Sequence, residues 1–268
     1  MVASADDQQG PGGPGAATAG SDGPGQDAAG RPETMAATYG QHFYEPPTGS
    51  AQVLLIRHGQ SEPYTPGNPF PLVDGHGDPK LTELGHYQAR LVGERLGDEP
   101  VEAIYVSSLT RTHQTAAPLA ERLGLTPTVE PDLREVFLGD WEGGLMREMM
   151  AREHPAAMAL RNSGEWGDIP GAETNRQLTD RTVGAVRAIA GRHADGGLVA
   201  AFCHGGVIAA VVGYAIGIGA TGLTGARHTS ISHLVIEQPA DDPAHWTVRL
   251  FNDGAHAGTL TGDHQPPG

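Results

Sequence analysis

A short aliphatic run at residues 53–56, Val-Leu-Leu-Ile, is followed directly by an arginine, a histidine and a glycine at positions 57–59. Such a run predicts a buried β-strand. In an open α/β sheet, ligands bind in the crevice beyond the carboxyl ends of the strands. The pattern therefore places Arg57 and His58 at a sheet edge where reactive side chains are presented, and it predicts an active-site strand end.

A second apolar run ends in the same way. Leu198–Cys203 is followed by His204 and by two glycines. Histidine-glycine pairs alone carry little information, because 13 His and 39 Gly in 268 residues predict roughly two pairs by chance and three are present. The third pair, His76-Gly77, follows no apolar run, and we expect it in a surface loop. The informative histidines are the two that follow predicted strands.

The remaining segments alternate between strand and helix patterns. Thr82 can cap a helix that ends at Gly97. The inner face of this helix is predicted to contain Leu84, Tyr87, Leu91, Val92 and Leu96. After this helix, the sequence predicts a strand at Val101–Val106, a helix to Gly124 and a short strand near Thr126–Glu130. An irregular excursion over Leu133–Glu173 follows, and then a helix at about 175–193. The last predicted elements are the strand Leu198–Cys203, a buried helix at Val207–Ile218, and a hairpin of Ser230–Glu237 with Trp246–Phe251. Alternation of this kind predicts an α/β fold, a three-layer α/β/α sandwich with a mostly parallel central sheet.

The N-terminal part of the chain differs in composition from the rest. Its first 32 residues contain eight Gly, four Pro and seven Ala and no aromatic residue, which leaves little apolar surface to offset the entropy of ordering. We expect a disordered, acidic tail at residues 1–48, one domain at 49–258 and a flexible tail at 259–268. We expect no secretory signal peptide, since a cationic n-region and an apolar h-region are both missing, and Met35 is an alternative start.

The charge balance restricts the partners of the protein. Lys and Arg number 17 and Asp and Glu number 32, so the formal net charge is −15 at pH 7. Such a chain repels nucleic acid and anionic membranes, and we expect neither as a partner. An anionic ligand must therefore be held by a local cationic pocket.

Cysteine usage and hydropathy give two further expectations. Cys203 is the only cysteine, so an intramolecular disulfide is impossible and a cytoplasmic location is the default. We expect Cys203 to be a small core residue. The apolar stretch Val207–Ile218 contains two glycines and is too short to span a bilayer.

Four positions along the chain carry groups that suit phosphoryl transfer. They are Arg57-His58 after the first strand, Arg111 after the second, Glu135 in the excursion, and His204 after the fourth. Two guanidiniums can hold a phosphoryl group bidentately, an imidazole can attack phosphorus, and a carboxyl group can protonate the departing oxygen. Together these groups are sufficient for phosphoryl transfer without a metal.

Five segments, in order, resemble the histidine phosphatase superfamily, which also contains cofactor-dependent phosphoglycerate mutase. They cover residues of about 50 to 255. The segments are Leu55-Ile56-Arg57-His58-Gly59-Gln60-Ser61, Leu81-Thr82-Glu83-Leu84-Gly85, Ser107–Ala116, Leu133-Arg134-Glu135-Val136-Phe137-Leu138-Gly139-Asp140-Trp141-Glu142-Gly143, and His204-Gly205-Gly206.

The resemblance implies a phosphoglycerate mutase-like fold and an enzyme that needs neither metal nor cofactor. It implies that His58 is a nucleophile that forms a phosphohistidine and that Glu135 is the proton donor. The phosphoryl oxygens would be bound by Arg57, Ser61, Arg111 and His204, so that His204 belongs to both the catalytic and the phosphate-binding set.

The sequence also departs from the family pattern. Tyr64 stands where family members often carry an asparagine that contacts phosphate. The loop before Leu81 is longer and Pro-rich, and it lacks the arginine that mutases commonly place there for a second acidic group. The segment at 139–143, Gly-Asp-Trp-Glu-Gly, is similar to the phosphatase branch, whereas mutases follow this glutamate with an arginine and a Tyr-Gly pattern. The sequence therefore favours hydrolysis of a small phosphorylated metabolite.

Several alternatives stay open at this point. Mutase-type phosphotransfer and a catalytically silent phospho-ligand-binding module are the competing functions. Asp132, Asp140 or Glu142 could replace Glu135 as the proton donor. Trp141 and Trp166 are interpreted as residues that pack within a lid over the site, rather than as a surface that binds substrate. A cysteine-dependent phosphatase is excluded, since the position six places after Cys203 is Ala209 rather than arginine. Neither the substrate nor the oligomeric state is predicted.

Overall fold

The computed structural model describes residues 40–41, 43–223, 225–237, 239 and 245–258. Most of the predicted N-terminal tail and the whole predicted tail at 259–268 lie outside the described residues. The domain boundaries at 49 and 258 stay predictions.

The strands form a six-stranded sheet and a small separate hairpin. In chain order they are β1 (Ser50–Arg57), β2 (Leu72–Val73), β3 (His76–Gly77), β4 (Val101–Val106), β5 (Thr128–Val129), β6 (Leu198–Cys203), β7 (Ile231–Glu237) and β8 (His245–Asp253). The large sheet has the order β5-β4-β6-β1-β7-β8, and β2 pairs with β3. β5, β4, β6 and β1 are parallel neighbours, whereas β7 runs antiparallel to β1 and β8 antiparallel to β7. The predicted mostly parallel sheet and the predicted final hairpin are confirmed.

Six α-helices flank or extend this sheet in the described part of the chain. They are α1 (Glu83–Leu96), α2 (Thr110–Leu123), α3 (Leu145–Ala151), α4 (Pro155–Ser163), α5 (Asn175–Gly191) and α6 (Gly205–Ala215). Alternate residues of β1 point to opposite faces of the sheet. Leu54 and Ile56 lie in the core with α1 and α2, whereas Val53 and Leu55 lie in the core with α5 and α6. The three-layer α/β/α sandwich is confirmed.

Helix α1 begins and ends where predicted but buries a different face. The Thr82 side chain accepts a hydrogen bond from the Gly85 amide, and Gly97 follows the last helical residue. Val92 and Leu96 are buried as expected, but Leu84, Tyr87 and Leu91 are only half-buried. The buried positions are instead Gly85, Gln88, Ala89, Val92, Gly93 and Leu96. The predicted face was partly wrong because small residues let α1 approach its neighbours: a Cβ on Gly93 would lie 3.1 Å from the Pro118 side chain in α2.

The excursion after Leu133 contains more helix than its composition predicts. It includes α3, α4 and several short 3₁₀ turns. Trp141 is buried there with Ala157, Leu160 and Ile169, and Trp166 packs against the same cluster. The interpretation of both tryptophans as packing residues is confirmed. We call residues 139–172 the lid.

Two other expectations are adjusted or confirmed. The buried helix predicted at Val207–Ile218 is α6, which starts two residues earlier, immediately after His204. Cys203 is fully buried in the core. Among the described residues, no helix has the length and apolar character needed to cross a membrane.

Candidate active site

The register of two neighbouring parallel strands brings the two strand-end histidines together. Arg57 at the end of β1 pairs with Cys203 at the end of β6. The residues that follow are His58 and His204, and the His58 amide donates to the Cys203 carbonyl at 3.0 Å. The centroids of the two imidazole rings are 5.2 Å apart.

The surroundings of His58 define its protonation state. Its side chain is 6% exposed, and Nδ1 lies 2.7 Å from the Gly59 carbonyl oxygen. Because a carbonyl oxygen only accepts, Nδ1 must carry the hydrogen, so in the neutral ring it is Nε2 that keeps the lone pair. Burial lowers the pKa of His58 well below 6.5, and the positive charges of Arg111 and Arg57 lower it further. His58 is therefore a neutral imidazole with a nucleophilic Nε2.

His204 is fully buried at the position that precedes α6. Its Nε2 lies 2.9 Å from the Ser107 hydroxyl, which follows β4. Nδ1 is buried and has no hydrogen-bond partner among the described residues. Burial, followed by the charge of Arg111, lowers the pKa of His204 well below 6.5. His204 contacts the His58 ring but, unlike the other predicted site residues, it does not line the pocket described next.

A pocket of about 930 Å³ opens at this edge of the sheet. Five of the six predicted site residues line it: Arg57, His58, Ser61, Arg111 and Glu135. The site thus gathers residues from the end of β1, the start of α2 and the loop before the lid. Ligands of an open α/β sheet bind at this edge, as expected.

Arg111 lies in the first turn of α2 and is 6% exposed. Its Nη1 donates to the Gly77 carbonyl at 3.0 Å and lies 3.7 Å from an Asp78 carboxylate oxygen. Burial lowers its pKa to about 10, while Glu135 and Asp78 act in the opposite direction. Arg111 remains a cation at neutral pH. The Arg57 guanidinium is held from the other side by the Ala226 carbonyl.

Glu135 is fixed by two backbone amides, one at the start of α6 and one from the residue that follows Glu135. Its Oε1 accepts from the Gly206 amide at 3.0 Å and from the Val136 amide at 3.0 Å. The Gly206 position permits this contact, since a Cβ on Gly206 would lie 2.5 Å from Glu135 Oε1.

The other candidate proton donors are placed less suitably. Glu142 lines the pocket, but its two oxygens accept from the Gly77 amide at 2.7 Å and the Leu138 amide at 2.9 Å. Asp132 and Asp140 are exposed and do not line the pocket. The geometry therefore favours Glu135.

Ser61 and Tyr64 lie on the outer side of the pocket. The Ser61 hydroxyl accepts from Arg147 Nη2 at 2.9 Å. The Tyr64 ring packs edge-on against Phe70, with centroids 5.9 Å apart, and lies against Gly144. Tyr64 therefore forms a wall of the pocket, on the side where the lid helix α3 begins.

Arg147, His228 and His76 are among the pocket residues that sequence reasoning missed. Arg147 belongs to α3, in the part of the chain without a readable motif, and His228 lies with its ring centroid 6.3 Å from that of His58. The expectation that His76 lies in a surface loop was wrong: it is 8% exposed, lines the pocket and packs against Phe137 at 5.3 Å. The signal was the Asp74-Gly75 pair, a two-residue hairpin turn whose residues both have positive φ.

Metal-ligating side chains are not grouped in the described part of the chain. Over residues 40–41, 43–223, 225–237, 239 and 245–258, no cluster of three or more His, Cys, Asp and Glu side chains could hold a metal ion.

Comparison with known proteins identifies the family of this chain. The family model of the histidine phosphatase superfamily (branch 1) matches residues 53–254. The chain is 31% identical over 173 residues to a glucosyl-3-phosphoglycerate phosphatase of Mycolicibacterium vanbaalenii, an alignment that covers 62% of this chain and 75% of that protein. It is 35% identical over 164 residues to a metal-independent phosphoserine phosphatase of Arabidopsis thaliana, covering 60% and 66%. A solved mycobacterial glucosyl-3-phosphoglycerate phosphatase is similar with a TM-score of 0.62 and 28% identity, over 76% of this chain and 99% of that one. On this evidence the chain belongs to the histidine phosphatase superfamily, branch 1.

Proposed function

We propose that this protein hydrolyses phosphate monoesters of small metabolites through a phosphohistidine at His58. The observation that carries the proposal is the neutral His58 imidazole, with its Nε2 lone pair available in a pocket also lined by Arg57 and Arg111. The two phosphatase relatives support hydrolysis as the reaction class.

In the first step, Arg57 and Arg111 bind the phosphoryl oxygens and His58 Nε2 attacks phosphorus. The Nε2–P bond forms, the P–O bond to the leaving group breaks, and protonated Glu135 transfers its proton to the departing oxygen. Charge-assisted hydrogen bonds from guanidiniums stabilise the charge that spreads over the phosphoryl oxygens. The Gly59 carbonyl accepts from His58 Nδ1–H and stabilises the positive ring as the bond forms.

In the second step, the Glu135 carboxylate takes a proton from water, and the water oxygen attacks phosphorus. The P–Nε2 bond breaks, inorganic phosphate leaves, and His58 regains its lone pair. The Gly206 amide keeps Glu135 in one orientation for both steps. We assign the Ser61 hydroxyl to a phosphoryl oxygen. His204, which is fully buried and does not line the pocket, is assigned to the support of the His58 ring, with the Ser107 contact holding the His204 ring.

The charge and cysteine content of the chain bear on metal dependence, on the type of substrate and on the location of the protein. Arg57 and Arg111 supply the positive charge that a metal supplies in other phosphatases, so we expect turnover to persist in excess chelator. The net charge of −15 supports a small-molecule substrate rather than nucleic acid or an anionic membrane. The single buried cysteine supports a cytoplasmic location, which fractionation of cells would test.

The central experiment replaces the nucleophile. We expect His58→Ala to lower hydrolysis of p-nitrophenyl phosphate by at least about a thousandfold, since covalent catalysis and its acid-labile adduct are both lost. Rapid acid quench with radiolabelled substrate measures the adduct in the unaltered protein. The matched control is His113→Ala, an exposed histidine within one of the family-like segments.

Other outcomes would assign a different function. Undiminished turnover by His58→Ala would contradict the assigned nucleophile. Dependence on a bisphosphorylated primer would indicate mutase chemistry. Ligand binding by the unaltered protein without phosphate release would indicate a silent binding module.

A further inference from the structure

An ion pair outside the pocket holds the backbone segment that carries Glu135. Arg181 lies in the second turn of α5, and Glu173 lies two residues before that helix begins. Their side chains are 18% and 12% exposed, and neither residue is among those that line the pocket. Arg181 Nη2 donates to Glu173 Oε2 at 2.6 Å, and Arg181 Nε donates to Glu173 Oε1 at 3.2 Å. This bidentate contact fixes the plane of the guanidinium.

The remaining N–H groups of Arg181 reach backbone carbonyls that lead up to Glu135. Nη1 donates to the Asp132 carbonyl at 2.7 Å and to the Arg134 carbonyl at 3.0 Å. Nη2 also donates to the Glu135 carbonyl, at 3.4 Å. Residues 134–138 belong to no helix or strand, so their backbone groups need partners of this kind. Arg181 therefore fixes the path of the chain as it arrives at Glu135.

Glu173 holds the same segment on its C-terminal side. Its Oε2 accepts from the Phe137 amide at 2.8 Å, and its own amide donates to the Phe137 carbonyl at 3.0 Å. Glu173 directly follows the lid, so the end of the lid is tied to the segment that carries Glu135. The main chain is thus held on both sides of Glu135, and the Gly206 amide holds its side chain.

The contacts of Arg181 depend on the shape of its guanidinium as well as on its charge. A guanidinium has five N–H donors, and the five contacts of Arg181 use all of them. A lysine has the same charge but carries its three donors on one nitrogen, so it cannot bind the carboxylate and the carbonyls in these directions. Arg181→Lys therefore separates the effect of geometry from the effect of charge.

We propose that Arg181, together with Glu173, is a positioning residue for Glu135. The pair fixes the Glu135 carboxyl group where it meets the ester oxygen in the first step and water in the second. This inference rests on the proposed hydrolase function, in which Glu135 transfers both protons. A displacement of about 1 Å at a catalytic group can lower a rate by about a hundredfold, so loss of the pair should slow the steps that depend on Glu135.

The test measures the two steps separately, by rapid acid quench of the phosphohistidine formed from p-nitrophenyl phosphate. Its leaving group needs no proton. We therefore expect Arg181→Lys to change the rate of His58 phosphorylation by less than about twofold, and to lower the rate of dephosphorylation by about tenfold or more.

A double-mutant cycle shows whether the effect passes through Glu135. In a Glu135→Gln background, Arg181→Lys should change dephosphorylation by less than about twofold, because residues that act through one group are not additive. A purely structural loss would be equal in both backgrounds.

Glu173→Gln is a second variant, which keeps the shape of the side chain and an acceptor for the Phe137 amide. We expect it to lower dephosphorylation by about threefold or more, and again to have no such effect in the Glu135→Gln background. If Arg181→Lys does not fold in urea titrations, Glu173→Gln carries the same comparison. The matched control is Arg176→Lys on the same helix, which is 88% exposed and pairs with Asp180 at 3.4 Å. We expect it to leave both rates unchanged.

Three outcomes would overturn the inference: unchanged dephosphorylation in both Arg181→Lys and Glu173→Gln, equal losses with and without the Glu135 carboxyl group, or the same loss from Arg176→Lys. Failure of the hydrolase function has a different signature. In that case the unaltered protein forms no acid-labile adduct, or Glu135→Gln alone dephosphorylates as fast as the unaltered protein.

Discussion

At the scale of single residues, the site depends on which atoms are already bound by the protein. His58 has one nitrogen held by the Gly59 carbonyl and one left with its lone pair. Glu135 has Oε1 held by two backbone amides at 3.0 Å each, while Oε2 has only a longer contact of 3.4 Å with the Gly206 amide. These contacts orient His58 and Glu135 and leave His58 Nε2 free for the role proposed for it.

Glu135 should act in both steps, and a substrate with a good leaving group separates them. With p-nitrophenyl phosphate the leaving group needs no proton, so we expect Glu135→Gln to keep phosphorylation of His58 but to lower dephosphorylation by about a hundredfold or more. Stopped-flow absorbance should show a burst of p-nitrophenolate, and acid quench should show accumulated adduct. With an alkyl phosphate, both steps should be slow.

Glutamine keeps an acceptor for the Gly206 amide, so the loop should retain its position. The control is Asp140→Asn, an exposed residue close in sequence, which we expect to behave as the unaltered protein. Steady turnover without a burst by Glu135→Gln would assign the proton transfer to another carboxyl group, and Glu142 would be the next residue to replace.

Residues differ in how far their roles could be predicted from sequence. Arg57 and His204 follow apolar runs, so their placement at one sheet edge could be predicted from local patterning. The Asp74-Gly75 pair makes the hairpin at His76 predictable from sequence, although not the position of His76 in the pocket. Arg147 could not be predicted, because its position depends on the path of the lid, which is determined by tertiary packing around Trp141.

At the scale of elements, α1 supports the loop that follows His58, the proposed nucleophile. The Gln60 carbonyl accepts from the Thr82 amide at 3.0 Å, and the Gln60 amide donates to Gln88 at 2.8 Å. Gly85 in the first turn of α1 touches this loop, since a Cβ there would lie 2.1 Å from the Gln60 carbonyl oxygen. The same close contacts explain why apolar periodicity alone misplaced the buried face of α1: the face depends on small residues and on what they meet.

A pair of glycine substitutions tests this role of α1. Gly85→Ala forces the helix and the loop apart, so we expect the free energy of unfolding to fall by about 1–3 kcal/mol and kcat/KM for p-nitrophenyl phosphate to fall at least about tenfold. Urea unfolding and steady-state kinetics measure the two effects.

The control is Gly184→Ala in α5, an exposed site where a Cβ meets nothing within 4 Å. There we expect a gain of about 0.5–1 kcal/mol and unchanged kinetics. If Gly85→Ala behaves like Gly184→Ala, the contact with Gln60 does not position the site.

At the scale of the whole molecule, an acidic chain builds one cationic pocket at the carboxyl edge of its sheet. Strand alternation made the layered architecture predictable, since parallel strands need crossovers and the crossovers here are helices. The antiparallel pairing of β7 and β8 could be predicted from the hairpin pattern at the end of the chain. The lid helices α3 and α4 could not be predicted, because their apolar residues pack mainly into a small core of their own rather than onto the sheet.

Concentrating buried imidazoles at this edge makes the stability of the molecule depend on pH. Burial, first, and nearby arginines lower the pKa of both His58 and His204 below 6.5, the value of a histidine in the unfolded chain. Between the folded and unfolded pKa values the unfolded state binds more protons, so the free energy of unfolding falls as the pH falls below about 6.5. Each such histidine contributes up to about 1.4 kcal/mol per pH unit in that window and nothing above it.

We therefore expect the free energy of unfolding, measured by urea titration from pH 7.5 to pH 5.5, to fall less steeply for His58→Gln than for the unaltered protein. The difference should approach one proton at the acid end. His233 and His256 also have pKa values lowered by burial, and they contribute equally to both proteins. Because the charge of His58 also acts on the pKa of His204, the difference reports His58 together with its coupling to His204. The control is His86→Gln, an exposed residue of α1, whose slope should match that of the unaltered protein. Identical slopes for all three proteins would mean that His58 is protonated as readily in the folded state as in the unfolded chain, and the neutral nucleophile on which the reaction depends would lose its support.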